Sequence, residues 1–364
     1  MAAYTLFGAK ISLYTGKIRS YLVYKGIDFE EITASLKVYK RVIVPNTGVR
    51  FIPVVKTPSG QYLQDSAVII DRLELALPQR PVFPATAKQL LVSKLFEIYA
   101  DEWLLIPAMH YRWNKGQDDY VYAEFGKTIF PALPGFMQRF LGKRAGARFK
   151  GFVTLLGIDE NTIAAVEQWY EGDLLPALDA HFGIHDYLLG GAASIGDFAL
   201  MGPLYAHLYQ DPESGKIMDA IAPNVVRWIG RMNRPPQALG SWLENDEIPA
   251  TLLPILTRIF AELFPVLRST VALLETWRQG NPTAEIPRFI GKHGFRIGDA
   301  RGERVVMPFS QWKLQRLLDV YHGFGADEKA SADAFLGTIN GLTAMQTVIN
   351  DKVDRKDNRL VWSS

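Results

Sequence analysis

The stretch from Phe51 to Leu73 constrains the fold of this chain more than any other. It opens with a short apolar run that contains Pro53, which predicts a strand entered through a proline, because proline lacks the N–H that a strand interior needs. A Pro-Ser-Gly turn and a second short strand, Gln61 to Leu63, follow. Asp65 and Ser66 then precede an apolar helical pattern, so either residue could cap that helix.

This arrangement would expose backbone groups beside the positive end of a helix. We predict a cis bond between Ile52 and Pro53, since an X–Pro bond can be cis at modest cost. The N–H and C=O of Ile52 would then point out of the sheet and could pair with a bound peptide. The helix that starts at Asp65 and Ser66 adds N–H groups and a positive dipole end, which suit a carboxylate. The stretch therefore indicates a site for a small acidic peptide.

Composition excludes several kinds of chemistry. The chain has 364 residues, enough for two or three domains, and 48% of them are hydrophobic, enough for sizeable cores. A net charge of +2 gives no strong attraction to nucleic acid or to an anionic membrane. There is no cysteine, so any thiol chemistry must use the thiol of a ligand. The N-terminus lacks a signal-peptide pattern, and we expect a cytoplasmic protein.

The proline-entered strand and the acidic-Ser pair resemble the glutathione transferase family. Members of that family hold glutathione with these two features of a thioredoxin-like N-terminal domain. The resemblance implies that Ile52, beside Pro53, pairs with the cysteinyl backbone of glutathione. It also implies that Asp65 and Ser66 hold the γ-glutamyl end. The glycine carboxylate would need a cation, and the candidates are Lys37, Lys40 and Arg50.

The family keeps its thiol-activating residue between the first strand and the first helix. In this chain that loop contains Ser12 and Tyr14, and Ser12 matches the catalytic serine position of the family. A hydroxyl that donates to the sulfur at the positive end of a helix favours the thiolate. Tyr14 is the alternative, since no tyrosine ends the first strand, where tyrosine-type members keep theirs. Ser12 could also act only as the cap of the first helix.

The resemblance predicts an α/β thioredoxin-like domain followed by an all-helical domain. A strand at 4–7, a helix at 18–25 and a strand at 27–32 precede the stretch described above, in thioredoxin-like order. Three prolines between residues 78 and 84 mark a stiff linker. The predicted division is a glutathione-binding domain at 1–80, a helical domain at 86–245 and a mainly helical extension at 246–364, packed on the helical domain.

A long amphipathic helix is predicted from Thr86 to Trp113, interrupted near Pro107. The resemblance assigns this helix to the pocket of the hydrophobic co-substrate, with the aromatic candidates Trp103, His110 and Tyr111. Aromatic residues at helical spacing are also typical of a core. Both interpretations stay open at this point.

The other patterns of the helical part indicate structure rather than chemistry. Residues 114–157 are predicted to be irregular, with prolines that break any helix and a solvated basic cluster. His181 and His185 could share a metal only if they faced each other, and Gly183 ends the helix between them, so we expect no metal site. Ser194 and Asp197 form a capping-box pattern.

The extension shows less familiar patterns. An amphipathic helix is predicted from Pro249 to Trp277, with prolines and charges that argue against a membrane span. A β-hairpin is predicted around 299–302, and helices at 311–321 and 327–352. The aspartates after residue 350 lack the spacing of a calcium loop and are expected in a solvated tail.

The sequence thus predicts a glutathione transferase that conjugates the glutathione thiolate to a small hydrophobic electrophile, as in detoxification. Two alternatives remain, because a fold does not fix a function. One is a non-catalytic binding or docking module, and the other is a glutathione-dependent isomerase or lyase. We expect glutathione as co-substrate and a homodimer, with no nucleic-acid or membrane partner.

Overall fold

A computed structural model describes residues 3–363 of the protein. The N-terminal part of the chain forms a four-stranded sheet with helices. In chain order its elements are β1 (Tyr4–Gly8), α1 (Leu13–Tyr24), β2 (Phe29–Thr33), α2 (Leu36–Val38), α3 (Val44–Thr47), β3 (Val54–Lys56), β4 (Tyr62–Gln64) and α4 (Ser66–Ala76). A π-helical turn, Tyr39–Ile43, joins α2 to α3.

The sheet has the strand order β2-β1-β3-β4. β1 runs parallel to β2 and antiparallel to β3, and β3 pairs antiparallel with β4. Val54 of β3 lies between Phe7 of β1 and Gln64 of β4 in this register. The thioredoxin-like domain predicted from the sequence is therefore confirmed, although α1 starts five residues before its predicted start and α2 and α3 were not predicted.

A helical domain follows the proline-rich linker, as predicted. Its helices are α5 (Ala87–Ile98), α6 (Leu105–Asn114), α7 (Asp118–Ile129), α8 (Gly135–Lys150), α9 (Phe152–Leu155), α10 (Ile163–Glu167), α11 (Leu175–Phe182), α12 (Ile195–Leu200), α13 (Pro212–Ile221) and α14 (Pro223–Asn233). π-helical turns at Tyr99–Trp103, Gln168–Leu174 and Met201–Tyr209 continue some of them.

The predicted interruption of the first long helix lies between α5 and α6. Pro107 has no N–H to donate to the carbonyl of Trp103, four residues earlier. The chain widens there into the π turn, in which the Leu104 N–H donates to the Tyr99 carbonyl at 3.0 Å. The break thus falls one turn before the proline that causes it.

Residues 114–157 are helical, and the prediction of an irregular segment was wrong. α7 and α8 pack against each other as an antiparallel pair, and the proline-containing stretch at 130–134 is only the loop between them. Glycines allow the two helices to approach closely, since a Cβ on Gly126 would lie 2.1 Å from the carbonyl oxygen of Gln138. The loop prolines were expected to break the whole segment, but they end only α7 and precede α8.

The predicted capping box at Ser194 and Asp197 is present at the start of α12. The buried Asp197 carboxylate accepts from the Ser194 N–H at 2.8 Å and the Ser194 hydroxyl at 3.0 Å. It also accepts from the Leu188 N–H and from the indole of Trp228. One carboxylate therefore ties a loop and two helices of the domain together.

The extension contains helices and two β-hairpins. Its elements are α15 (Leu253–Arg258), α16 (Phe264–Gly280), β5 (Lys292–Ile297), β6 (Ala300–Val305), α17 (Phe309–His322), α18 (Ala326–Thr338), α19 (Leu342–Met345), β7 (Val353–Lys356) and β8 (Arg359–Trp362). The first hairpin and α17 were predicted. The helix expected to reach residue 352 ends at Thr338, and Asn340 follows it in the left-handed region, with φ 58°.

Asp354 and Asp357 are exposed, as expected, but the predicted tail was wrong, because this part of the chain forms the second hairpin, β7–β8. Asp357 and Asn358 make its two-residue turn, both with positive φ, 50° and 62°. Such a turn matches the twist of paired strands, and Asp and Asn tolerate it better than other non-glycine residues.

One helical run, Ala250–Gly280, is long and apolar enough by composition to cross a membrane. Of its most apolar window, 56% is buried inside the protein. A core helix of a soluble protein passes the same test, so this run is weak evidence for a membrane span.

Candidate functional site

Three predicted features lie at one end of the sheet. The residue row Phe7, Val54, Gln64 is the last paired row of β1, β3 and β4 at this end. Just beyond it lie the loop that leads to Ser12, the Ile52–Pro53 bond and the Asp65–Ser66 pair. The sheet register therefore brings together residues that are up to 54 positions apart in the sequence.

Ser12 is the N-terminal cap of α1. Its side-chain oxygen accepts a hydrogen bond from the Thr15 N–H at 3.3 Å, and the residue is partly exposed. The start of α1 is held tightly against the helical domain, since a Cβ on Gly16 would lie 2.7 Å from that of Ala206. Because the Ser12 oxygen is the acceptor of its cap bond, its proton stays available to a ligand at the positive end of the helix.

Tyr14 is oriented differently. Its hydroxyl donates to the backbone carbonyl of Asp101 at 3.0 Å. Burial, with the nearby carboxylates of Asp101 and Glu102, raises the pKa of Tyr14 well above its ordinary value. Its proton is thus committed within the protein, whereas that of Ser12 is not.

The Ile52–Pro53 bond is cis, as predicted, and β3 starts at the next residue. Pro53 is buried, and Ile52 is partly exposed. Within residues 3–363, the backbone N–H and C=O of Ile52 make no hydrogen bond. An extended peptide laid beside this residue could therefore pair with it as an added strand does.

Asp65 caps α4, and Ser66 is its first residue. The Asp65 carboxylate accepts from the N–H groups of Ala67 at 2.9 Å and Val68 at 3.3 Å. Asp65 has φ 80°, a conformation that is costly for a residue other than glycine and that often marks a binding site. The Ser66 hydroxyl has no hydrogen-bond partner among the described residues.

Electrostatics keep Asp65 ionised. Burial alone would raise its pKa, but the positive charges of Lys313 and Arg355 outweigh burial, so the pKa of Asp65 lies below its ordinary value. Both cations belong to the extension. A carboxylate that stays charged can bind an ammonium group of a ligand.

The extension reaches this end of the sheet, which the sequence analysis missed. Arg355 Nη2 donates to the Gln64 side chain at 2.5 Å, and Arg355 Nη1 lies 4.0 Å from the Asp65 carboxylate. Asn358, in the turn of the hairpin, donates to the Thr47 carbonyl at 2.9 Å. No local pattern in the sequence links residues nearly 300 positions apart, and Val353–Lys356 has one apolar residue followed by three charged ones, so it lacks the alternation that predicts a half-buried strand.

The three cations suggested for the glycine carboxylate are exposed. Lys37 belongs to α2, Lys40 to the π turn after it, and Arg50 to the loop before the cis bond. Within the described chain, 3–363, none of the three makes an ion pair.

The predicted pocket residues are buried instead of lining an open cleft. Trp103 packs edge-on against Phe295 of the extension. His110 Nε2 lies 2.8 Å from the Glu167 carboxylate, and the Tyr111 hydroxyl donates to Glu171. A cleft of about 400 Å³ lies elsewhere and includes Lys88, Glu247 and Phe335 in its wall, but none of the predicted site residues.

The two histidines considered above lie side by side, with ring centroids 5.1 Å apart, so the expectation that Gly183 keeps them from facing each other was wrong. His181 Nδ1 lies 2.7 Å from the Thr251 hydroxyl, and its Nε2 lies 3.3 Å from the Tyr187 carbonyl. Across the part of the chain that the structure describes, no three His, Cys, Asp or Glu side chains are grouped so as to hold a metal ion.

The fold is a thioredoxin-like sheet with a cis-proline edge, followed by a helical domain, and comparison with known families identifies it. The model of the glutathione S-transferase N-terminal domain matches residues 6–81, and that of the C-terminal domain matches residues 164–236. The two matches occur in the order that the family has. The chain belongs to the glutathione transferase family.

Solved structures with similarity to this chain include a glutathione S-transferase from Rhodospirillum rubrum F11, at 14% identity and a TM-score of 0.41, over 68% of this chain and 96% of that one. A β-etherase, LigF, from Sphingobium sp. strain SYK-6 has 16% identity and a TM-score of 0.46, over 65% of this chain and 96% of that one. A glutathione S-transferase from Methylobacterium radiotolerans, in complex with glutathione sulfonate, has 18% identity and a TM-score of 0.39, over 66% of this chain and all of that one. No curated protein matches the sequence.

Proposed function

We propose that the protein binds glutathione and transfers its thiolate to a small hydrophobic electrophile. The proposal rests on three features that lie at the same end of the sheet, just beyond the residue row Phe7, Val54, Gln64. They are the start of α1, the unpaired backbone of Ile52 and the start of α4. Each suits a different part of one small acidic peptide. Membership of the glutathione transferase family supports glutathione as that peptide.

Glutathione would bind in an extended conformation. Its cysteinyl backbone would pair with Ile52, beside Pro53, and its γ-glutamyl end would meet Asp65 and Ser66. The glycine carboxylate would face the exposed cations, with Lys40 and Arg50 as the candidates. This orientation directs the thiol towards the start of α1.

Ser12 is the residue that would activate the thiol. A free thiol with a pKa near ~8.5 is mostly protonated at neutral pH. Lowering that pKa by about two units requires about 2.7 kcal/mol of differential stabilisation. A hydrogen bond from the Ser12 hydroxyl to the sulfur, at the positive end of α1, can supply an amount of this order. The thiol proton leaves to solvent, and the thiolate then forms the carbon–sulfur bond. In a substitution the leaving group departs from that carbon with its bonding electron pair, and in an addition the π electron pair of the electrophile is displaced and takes up a proton from solvent.

The Ser12 assignment is favoured over Tyr14 by hydrogen bonding. The Tyr14 hydroxyl already donates to the Asp101 carbonyl and would have to break that bond to reach a sulfur. The Ser12 oxygen only accepts, from the Thr15 N–H, so it can donate without losing a contact.

Titration of bound glutathione tests the proposal. Thiolate absorbs in the near ultraviolet and thiol does not, so the ionisation of the bound thiol can be followed against pH without knowing the electrophile. We expect the bound thiol to titrate below its free value, and Ser12→Ala to reverse most of that shift with little loss of affinity. Activity with simple electrophiles should fall in parallel, by about 10²-fold.

Tyr14→Phe is the matched control and should leave the titration unchanged. If Tyr14→Phe reverses the shift instead, the activating residue is Tyr14. If bound glutathione titrates like free glutathione in the parent protein, the protein is a binding module and not a transferase. Analysis of the products separates conjugation from isomerisation, since an isomerase returns glutathione unchanged and conjugation consumes it into a stable thioether.

The remaining expectations belong to the same proposal. The electrophile pocket, the homodimer and the cytoplasmic location are properties that we infer from the family and from the composition. Sedimentation of the purified protein would test the homodimer. Since the predicted aromatic residues of the pocket are buried, the electrophile would have to contact other residues, or the extension would have to move.

A further inference from the structure

The hairpin β7–β8 lies across the proposed γ-glutamyl pocket. Its turn is attached on one side, where Asn358 donates to the Thr47 carbonyl at 2.9 Å. Its first strand is attached on the other side, where Arg355 donates to the Gln64 side chain at 2.5 Å. The guanidinium of Arg355 therefore lies beside the start of α4, at the Asp65–Ser66 pair.

The position of Arg355 is fixed from behind by α17. Val353 exchanges backbone hydrogen bonds with the Gln315 side chain, at 3.0 and 2.8 Å, which holds the strand on that helix. The Arg355 guanidinium lies over the ring of Trp312, 5.3 Å from its centroid. A side chain held in this way has already lost most of its conformational entropy, which favours ligand binding.

Arg355 has hydrogen-bonding capacity that the described residues do not use. Its side chain is only 9% exposed, and its Nε is buried without an acceptor. Its contact with the Gln64 carbonyl is long, at 3.4 Å, and Asp65 is 4.0 Å away. A buried donor without an acceptor costs free energy, so this guanidinium is suited to receive an anion.

Two other cations near Asp65 are already paired. Arg316 lies 2.8 Å from the Asp71 carboxylate, and Lys313 lies 2.5 Å from Asp101. Within residues 3–363, Asp65 is the one carboxylate that forms an ion pair with the Arg355 guanidinium, at 4.0 Å, whereas Asp354 accepts from the Arg355 backbone N–H. The pocket thus presents one carboxylate and one guanidinium, with the hydroxyl of Ser66 beside them.

We propose that Arg355 is a substrate-binding residue that, with Asp65 and Ser66, forms a site for the zwitterionic end of a γ-glutamyl ligand. Asp65 binds the α-ammonium group, and Arg355 and Ser66 bind the α-carboxylate. The extension thereby contributes to substrate specificity as well as to folding. This inference rests on the proposed binding of glutathione.

Calorimetry with two ligands tests the inference. Glutathione carries the zwitterionic end, whereas the dipeptide cysteinylglycine lacks the γ-glutamyl residue. We expect Arg355→Gln to weaken glutathione binding by roughly 10- to 100-fold, the size of effect of a charge-assisted hydrogen bond, and to leave the affinity for cysteinylglycine unchanged. The matched control is Arg359→Gln, an exposed arginine on the other strand of the same hairpin, which should change neither affinity.

Several outcomes would overturn the inference. Equal or tighter glutathione binding by Arg355→Gln would mean that Arg355 only holds the hairpin in place and does not bind the ligand. An equal loss for both ligands would mean that the variant disturbs the whole site. If Arg355→Gln fails to fold by thermal melting, Arg355→Lys keeps the charge without the planar fork, and full glutathione affinity in that variant would contradict a bidentate contact. If the parent protein does not bind glutathione, the proposed function itself fails. If the parent binds glutathione and Arg355→Gln binds it equally well, only the inference about Arg355 fails.

Discussion

Lys17 and Asp101 form a fully buried ion pair that joins the two domains. Lys17 Nζ lies 3.0 Å from Asp101 Oδ2, and neither side chain is exposed. Lys313 of the extension lies 2.5 Å from the same oxygen, and Glu97 lies 3.1 Å from Lys17. Lys17 belongs to α1, the helix that Ser12 caps. One carboxylate therefore connects the proposed thiol site, the helical domain and the extension.

Asp101→Asn should destabilise the protein strongly. The substitution would leave Lys313 buried without its ionic partner and would weaken the pairing of Lys17. Because breaking a buried ion pair costs about 3–5 kcal/mol, the free energy of unfolding should fall by an amount of this order. Urea denaturation monitored by tryptophan fluorescence measures the loss. Glu160→Gln, at an exposed position, is the control and should change the free energy of unfolding by less than about 0.5 kcal/mol. A comparable, small change in both variants would contradict a structural role for the pair.

Ser66→Ala should weaken glutathione binding by about 1.5–3 kcal/mol, because it removes a hydrogen bond to a charged group of the ligand. The melting temperature should hardly change, since the Ser66 hydroxyl has no hydrogen-bond partner among residues 3–363. Calorimetry measures the affinity. The control is Ser59→Ala, an exposed serine in the β3–β4 turn. Unchanged affinity in a folded Ser66→Ala protein would show that the γ-glutamyl end binds elsewhere.

Much of the N-terminal domain and of the candidate site could be predicted from the sequence, because the signals there are local. Pro53 marks a strand entrance, and the Asp65–Ser66 pair marks a helix start within a few residues of it. The order of the elements then determines which chain segments meet at one end of the sheet. The cis bond and the capping box at Ser194 were predicted correctly for the same reason.

The contribution of the extension could not be predicted, because it depends on tertiary contacts. Arg355 reaches Gln64 only after β7 has paired with β8 and packed on α17. The burial of Trp103 has a similar cause, since Phe295 of the first hairpin covers it. An amphipathic pattern shows that a face is buried, but it does not show whether a ligand or another part of the chain buries it.

Stability should fall as the pH falls from about 6.5 towards 4, in part because of His181. Burial lowers the pKa of His181 to about 4, with a smaller contribution from His185. Its folded pKa lies below its unfolded value of about 6.5, so the unfolded state takes up the proton first. The stability that neutral His181 contributes is thus complete above pH ~6.5 and is lost as the pH falls through 4, by at most about 3 kcal/mol.

Denaturation midpoints measured between pH 7.5 and 4.5 test this prediction. His181→Gln keeps a donor for the Tyr187 carbonyl but cannot be protonated in this range, so its midpoint should be lower at pH 7 and should fall less towards pH 4.5. His322→Gln, at an exposed position, is the control and should follow the parent protein. Identical slopes for the parent and His181→Gln would assign the acid sensitivity to other groups.

Removal of the extension should prevent stable folding. A chain that ends at Ile248 keeps Asp246, whose carboxylate accepts from the N–H groups of Lys88 and Gln89 at the start of α5. It loses Lys313 from the buried Asp101 and the aromatic cover of Trp103. The newly exposed apolar surface should cause aggregation or a large loss of melting temperature.

A shorter deletion separates the two roles of the extension. A chain that ends at residue 352 lacks β7 and β8 but keeps α17 with its ion pairs to Asp71 and Asp101. It should stay soluble and lose melting temperature only moderately, while its glutathione affinity falls as in Arg355→Gln. Scanning calorimetry and light scattering on both truncated chains measure these outcomes. If the chain that ends at Ile248 is soluble and melts like the parent, the extension is an independent module. Helices that bury their apolar faces only on each other do not stabilise the domain beside them.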